Sequence, residues 1–132
     1  MTHSERAKQI FAEEIQELEH LSRQIDSRFD ETVEAIYACR GKLVIMGIGK
    51  TGIIGHKIAS SLASTGTQAI FVNAAEAVHG DLGMVCREDI VMLVSNSGET
   101  NEILSVIDPL RKIGCRLITS RSEERFSRNA ET

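Results

Sequence analysis

Proline is nearly absent from this chain. Only Pro109 occurs in 132 residues, and no Pro-, Gly- or Ser-rich tract separates one part of the chain from another, so linkers, low-complexity segments and internal repeats are excluded. Cysteine is scarce as well. Cys39, Cys86 and Cys115 are odd in number and lack the spacing of metal ligands. Cys39 and Cys115 sit in or beside apolar stretches, which predicts buried thiols and fits a reducing, cytoplasmic setting. No apolar run approaches the length of a membrane span, and the start, Met1-Thr2-His3-Ser4-Glu5-Arg6, has no apolar signal-peptide region. Positive charge is also in deficit. A net charge of −4 argues against a broad nucleic-acid-binding face. With 42% hydrophobic and 26% charged residues, what remains is an ordinary globular chain of one-domain length.

Two amphipathic helices are predicted in residues 1–40. Ile10, Phe11, Ile15, Leu18, Leu21 and Ile25 form one stripe over 5–25. Asp26-Ser27 breaks the chain, and Phe29, Val33 and Ile36 continue to about Cys39. Such helices pack either on a partner subunit or on the chain's own sheet. Residues 41–132 then alternate. Strands are predicted at 42–46, 69–72, 90–94 and 116–119. A helix follows the first, with Ile53, Ile54, Ile58 and Leu62 as its apolar side and Gly66 as its left-handed cap. Another runs from about 100 to 113, with Pro109 expected to kink it, and a polar helix is predicted over 122–131. The fold class is α/β, a parallel sheet with helices on both faces. A chain of this kind normally returns from its last helix into another strand, so a missing last strand is expected.

The stretch Ser95-Asn96-Ser97-Gly98-Glu99-Thr100 joins an apolar strand to a helix. Such a turn gathers backbone N–H groups and the positive helix end at one point, a seat for phosphate, and its hydroxyls add hydrogen bonds. Helix capping by Ser95 or Ser97 is the plainer alternative. After the first strand, Gly47-Ile48-Gly49-Lys50-Thr51-Gly52 formally matches the dinucleotide fingerprint. However, Asn73 stands where an acidic ribose-binding residue is required, and Val44 where a phosphate-loop glycine is required. What remains is a glycine turn with Lys50 opposing the helix dipole, which an anion would compensate. His79 lies in His79-Gly80-Asp81, beyond the second strand, and is the best acid/base candidate. His79 and Asp81 are too few for a metal site, with Asn73 only a weak ligand. His3, His20 and His56 read as inert surface residues. Glu99 and Glu102 stand one turn apart at a helix start.

Four segments together resemble a sugar isomerase (SIS) domain of the KpsF/GutQ-type arabinose 5-phosphate isomerases. They are the glycine turn 47–52, Ala63-Ser64-Thr65-Gly66-Thr67, the stretch Ala75 to Met84 with His79-Gly80-Asp81-Leu82-Gly83, and the serine turn 95–100. The resemblance covers roughly residues 8–131. It implies a flavodoxin-like or Rossmann-like SIS sandwich with N-terminal helices over 1–40 and the SIS domain over 41–132. It implies interconversion of arabinose 5-phosphate and ribulose 5-phosphate for synthesis of the Kdo of lipopolysaccharide or capsule, with no cofactor and no resident metal. It assigns catalysis to Lys50, Glu102 and His79, and substrate or phosphate binding to Gly49, Thr51, Gly66, Thr67, His79, Ser95, Asn96, Ser97, Glu99 and Thr100. It also implies a homotetramer in the cytoplasm, with a small sugar phosphate as ligand and neither nucleic acid nor membrane as partner. The family carries a further strand, an acidic residue and a histidine, and often a tandem CBS pair; these are expected past Thr132. The alternative function is a non-catalytic sugar-phosphate-binding or regulatory SIS fragment.

Overall fold

The computed structural model describes residues 1–95 and 101–121, which divide into two compact units, Met1–Ala35 and the residues from Ile36 onward. The first unit is helical. Helix α1 spans His3–Gln24 and opens with a capping box: the Thr2 hydroxyl accepts the Glu5 N–H at 3.1 Å and the Glu5 carboxylate accepts the Thr2 N–H at 2.6 Å. Helix α2 spans Ser27–Tyr37, and the Asp26 carboxylate before it accepts the Arg28 N–H at 2.9 Å. Neither helix buries a residue, and the stripe Ile10, Phe11, Ile15, Leu18, Leu21 and Ile25 is exposed.

The second unit is built on four parallel strands, β1 (Leu43–Gly47), β2 (Ala69–Asn73), β3 (Ile90–Ser95) and β4 (Arg116–Arg121), in the order β2-β1-β3-β4. Strands were expected at 42–46 and 90–94; both take central places in the sheet, and the structure buries every residue of β1. Helix α3 (Gly49–Ser64) joins β1 to β2, and α5 (Asn101–Ile113) joins β3 to β4. Helix α5 runs on through Pro109 to Ile113. On one sheet face Val44, Met46, Val72, Val91 and Leu93 pack with Ile103, Val106 and Leu110 of α5 and with Ala74 and Ala77. Those two alanines belong to α4 (Ala74–Ala77), a short helix that, with a 3-10 turn at Asp81–Met84, fills a stretch too short to show a period in the sequence.

Helix α3 overturns one expectation. Ile53 and Ile54 are 71% and 58% exposed, and Ile58 is exposed too. The face laid on the sheet is Gly52, Gly55 and Ala59. A Cβ on Gly55 would meet Ile45 Cγ2 at 3.1 Å, so the helix lies closer to the sheet than any branched side chain permits. The predicted polar helix over 122–131 lies outside the described residues.

The amino ends of the strands are tied by Asp89, which is 3% exposed. Its carboxylate accepts Lys42 Nζ at 2.7 Å, the Lys42 N–H at 2.9 Å and the Cys86 N–H at 2.7 Å. The three thiols are free but unequal: Cys115 is buried, Cys39 half-buried and Cys86 exposed. Burial pushes the Cys115 thiol above its usual range. Ellman's reagent on the native chain is therefore expected to label Cys86 faster than Cys115, by on the order of tenfold or more. Equal rates, followed by mass mapping of the labelled peptides, would contradict this placement.

Candidate functional site

In an open parallel sheet, ligands settle at the carboxyl ends of the strands where the chain order reverses. Here the reversal lies between β1 and β3. From β1 the chain crosses by α3 to β2 on one side; from β3 it crosses by α5 to β4 on the other. The carboxyl ends of β1 and β3 are adjacent, with Met46 paired to Leu93, and a Cβ on Gly47 would meet the Val94 carbonyl oxygen at 3.1 Å.

The turn after β1 owes its shape to its glycines. Ile48 is extended, Gly49 takes φ +58°, and the Gly52 N–H donates back to the Ile48 carbonyl at 2.9 Å. Gly49 is in the left-handed region that other residues occupy at a cost. Gly47 and Gly52 stand back to back: a Cβ on Gly52 would meet the Gly47 carbonyl carbon at 3.2 Å. Ile48 at the N-cap offers no side-chain acceptor to the N–H groups of the first turn of α3. Lys50 is exposed at this helix end and Thr51 is half-buried. The positive end of the helix and the Lys50 ammonium therefore share one region, which suits an anion.

Beside this turn, Ser95 closes β3 and is buried, 9% exposed. Asn96, Ser97, Glu99 and Thr100 lie outside the described residues. Glu102 is the second residue of α5 and is exposed. His79 is exposed beyond α4; its N–H donates to the Glu76 carbonyl at 3.0 Å, and Gly80 at φ +127° turns the chain after it. Ser95 thus lies at a strand carboxyl end, and Gly49, Lys50, Thr51, His79 and Glu102 follow such ends along the chain.

Gly66 and Thr67 do not join them within one chain. They end α3, where the Thr67 N–H donates to the Leu62 carbonyl at 2.9 Å and the Gly66 N–H to the Ala63 carbonyl at 3.4 Å, the paired bonds of a Schellman cap. The 16 residues of α3 separate this end from Lys50 by about 24 Å. There Gly66 and Thr67 line a cavity of 440 Å³ with Tyr37, Arg40 and Gly41. The left-handed cap expected at Gly66 is thus observed, with φ +101°, and it sets the pair at the opposite end of α3 from Lys50. Asn73, at the position where a dinucleotide site requires an acidic residue, caps α4 instead, its carbonyl oxygen accepting the Ala75 N–H at 2.9 Å. Among the described residues no three His, Cys, Asp or Glu side chains gather as metal ligands, and no helix is long and apolar enough to cross a membrane.

The SIS domain model matches residues 36–131, the part of the chain that carries the sheet and this site. The chain belongs to the SIS domain family. It is 50% identical over 115 residues to an arabinose 5-phosphate isomerase KdsD of Yersinia pestis, covering 87% of this chain and 35% of the relative. It is 41% identical over 127 residues to an arabinose 5-phosphate isomerase KpsF of Escherichia coli CFT073, covering 94% and 39%. The chain therefore spans less than half the length of the relatives it matches. Among solved structures, an E. coli CFT073 protein in complex with arabinose 5-phosphate superposes with a TM-score of 0.82 at 42% identity, covering 96% of this chain and 69% of that one. The SIS fold expected from the four sequence segments is the fold observed.

Proposed function

We propose that this SIS domain binds arabinose 5-phosphate and serves its interconversion with ribulose 5-phosphate, the reaction that supplies the sugar for Kdo. The observation that carries the reading is the first turn of α3, given no side-chain acceptor by its N-cap Ile48, with Lys50 on it, set beside the Ser95 end of β3 at the point of order reversal. The similarity to isomerases named for this substrate, and to a structure holding arabinose 5-phosphate, supports it.

Aldose–ketose isomerisation takes a proton from C2 of the aldose, forms an enediol, and returns a proton to C1, while the hydroxyl proton of C2 passes to the carbonyl oxygen on C1. The steps need an anchor for phosphate, a base, and a positive group near the oxygens. In this reading the serine turn and the first turn of α3 hold phosphate. Lys50 stabilises negative charge on phosphate or on the enediolate. Glu102 and His79 move protons or orient hydroxyls. No cofactor is needed for this chemistry. Self-association, a tetramer by resemblance, is part of the same proposal, as is a cytoplasmic site. The exposed apolar stripe of α1 supports the former and the free thiols the latter.

The test is proton NMR of arabinose 5-phosphate mixed with the chain, following ligand line widths and ribulose 5-phosphate together. Broadening with turnover is expected, and Lys50→Ala is expected to slow turnover about 100-fold, the scale of one lost charge-stabilising donor. Broadening without turnover would favour a non-catalytic binding domain. Unchanged lines would remove both readings.

A further inference from the structure

His56 stands one helical turn beyond Gly52 on α3, exposed, and the isomerase chemistry above makes no use of it. The structure gives it a fixed place. Its ring meets Phe71 of β2 edge to face, with centroids 5.5 Å apart and planes at 89°. Phe71 in turn is wedged beneath α3, because a Cβ on either Gly52 or Gly55 would meet its ring at 3.3 Å. The glycine stripe that brings α3 down on the sheet therefore also brings Phe71 up under His56, and the imidazole is held on a rigid support.

These groups surround a cavity of 240 Å³ lined by Gly49, Gly52, Ile53, His56, Phe71 and Asn73. The cavity begins at Gly49 of the anion-binding turn and runs toward the carboxyl end of β2. Its chemistry is mixed. Phe71 and Ile53 offer apolar surface. The imidazole of His56 both donates and accepts. Asn73 spends its carbonyl oxygen on the Ala75 N–H, which leaves its NH2 as a donor. Two nitrogen-bearing side chains are too few for a metal. The volume is below that of pockets that enclose a whole drug-sized ligand, so it suits part of a ligand held elsewhere as well.

We infer that His56 and Asn73 form a subsite for hydroxyl groups of the sugar chain whose phosphate is held at the α3 turn, which makes His56 a specificity-determining residue. The inference rests on the sugar-phosphate reading of the site and adds a residue to it. A hydroxylated carbon chain matches the cavity on both counts: its C–H faces lie on Phe71 and Ile53, and its hydroxyls pair with His56 and Asn73. Inorganic phosphate shares only the turn and has nothing to place in the cavity.

The experiment uses the full chain with isotope-labelled histidine rings, titrated with arabinose 5-phosphate and, separately, with inorganic phosphate. The expected result is that the sugar phosphate shifts the His56 ring resonances while inorganic phosphate leaves them in place. His56→Ala is expected to weaken sugar-phosphate binding about fivefold, the loss of one neutral hydrogen bond, with phosphate binding unchanged and His56→Gln recovering part of the loss. Since His56 is exposed, neither substitution threatens the fold. Sugar-phosphate binding with an unmoved His56 ring and undiminished affinity in His56→Ala would overturn the subsite alone. No sugar-phosphate binding by the unaltered chain would overturn the subsite together with the reading it rests on.

Discussion

Asp89→Ala is expected to lower the unfolding free energy of the sheet unit by about 3 kcal/mol, read as a fall in the urea midpoint. The carboxylate is buried and bonded three times, to the Lys42 ammonium, the Lys42 N–H and the Cys86 N–H. Truncation strands two backbone donors and leaves an ammonium without its counter-charge. The figure sits at the low end for a broken buried pair because Lys42 is 24% exposed and turns partly to water. The site also fixes Gly41, where a Cβ would collide with the Asp89 carboxylate and the Glu88 carbonyl. Backbone bonds join the strand beginnings at the same place: the Ile90 N–H of β3 donates to the Lys42 carbonyl before β1 at 3.1 Å, and the Arg116 N–H of β4 to the Asp89 carbonyl at 3.3 Å.

The same prediction has a pH signature. Burial alone would raise the Asp89 pKa, but the hydrogen bonds from Lys42 and Cys86 outweigh it and hold the carboxyl below its ordinary 3.8. A depressed folded-state value means that the unfolded chain binds the proton more readily. The stabilisation is therefore complete above the unfolded pKa and is lost as pH falls through the folded one. The gap between wild type and Asp89→Ala should be full at pH 7, still nearly full at pH 5, and narrow below about pH 4. A gap constant from neutral pH down to about pH 3 would show that the carboxylate charge contributes nothing.

The sheet was legible because its central strands are unbroken apolar runs, and only burial on both faces makes such runs. The turn after β1 was legible because Gly47, Gly49 and Gly52 follow a strand and open a helix. The packed face of α3 was not. Ile53, Ile54 and Ile58 fall at helical spacing, and so do Gly52, Gly55 and Ala59. A hydrophobicity pattern weighs the larger side chains, whereas the close approach to Ile45 and Phe71 selects the smaller ones. Asp89 was missed for a related reason: within Arg87-Glu88-Asp89 it reads as one more solvated charge, and its burial depends on where Lys42 lands, far back in the sequence. His56 looked like a surface histidine and is exposed, yet Phe71 gives it a fixed orientation that no local pattern encodes. Gly66 was legible as the left-handed cap that ends α3, the opposite end of that helix from Lys50; it was the resemblance, not the helix pattern, that grouped Gly66 and Thr67 with Lys50.

Gly52→Val is expected to be the most damaging single change near the site, costing more than about 3 kcal/mol or preventing recovery of folded protein. At this position a Cβ would lie 3.2 Å from the Gly47 carbonyl carbon, 3.3 Å from its oxygen and 3.3 Å from Phe71 Cζ. None of these neighbours yields easily. Gly47 is paired with Asn73 in the ladder, and its other side is already close to the Val94 carbonyl. Phe71 is confined by Gly55. The strain is relieved only by lifting α3, which carries Gly49 and Lys50 away from Ser95 and moves the support of His56 with them. Gly52→Ala tests the intermediate case: one methyl gains about 1 kcal/mol of helix propensity but loses more to overpacking, for a net cost of about 1–2 kcal/mol. Sugar-phosphate affinity should fall in Gly52→Ala even where the chain remains folded, because the displaced element carries the binding turn. Gly83→Ala is the control. No atom lies within 4 Å of its Cβ position and its φ is not positive, so both stability and binding should stay within about 0.5 kcal/mol of wild type. If Gly52→Ala and Gly83→Ala behaved alike, the close contact of α3 with β1 would not be what shapes the site.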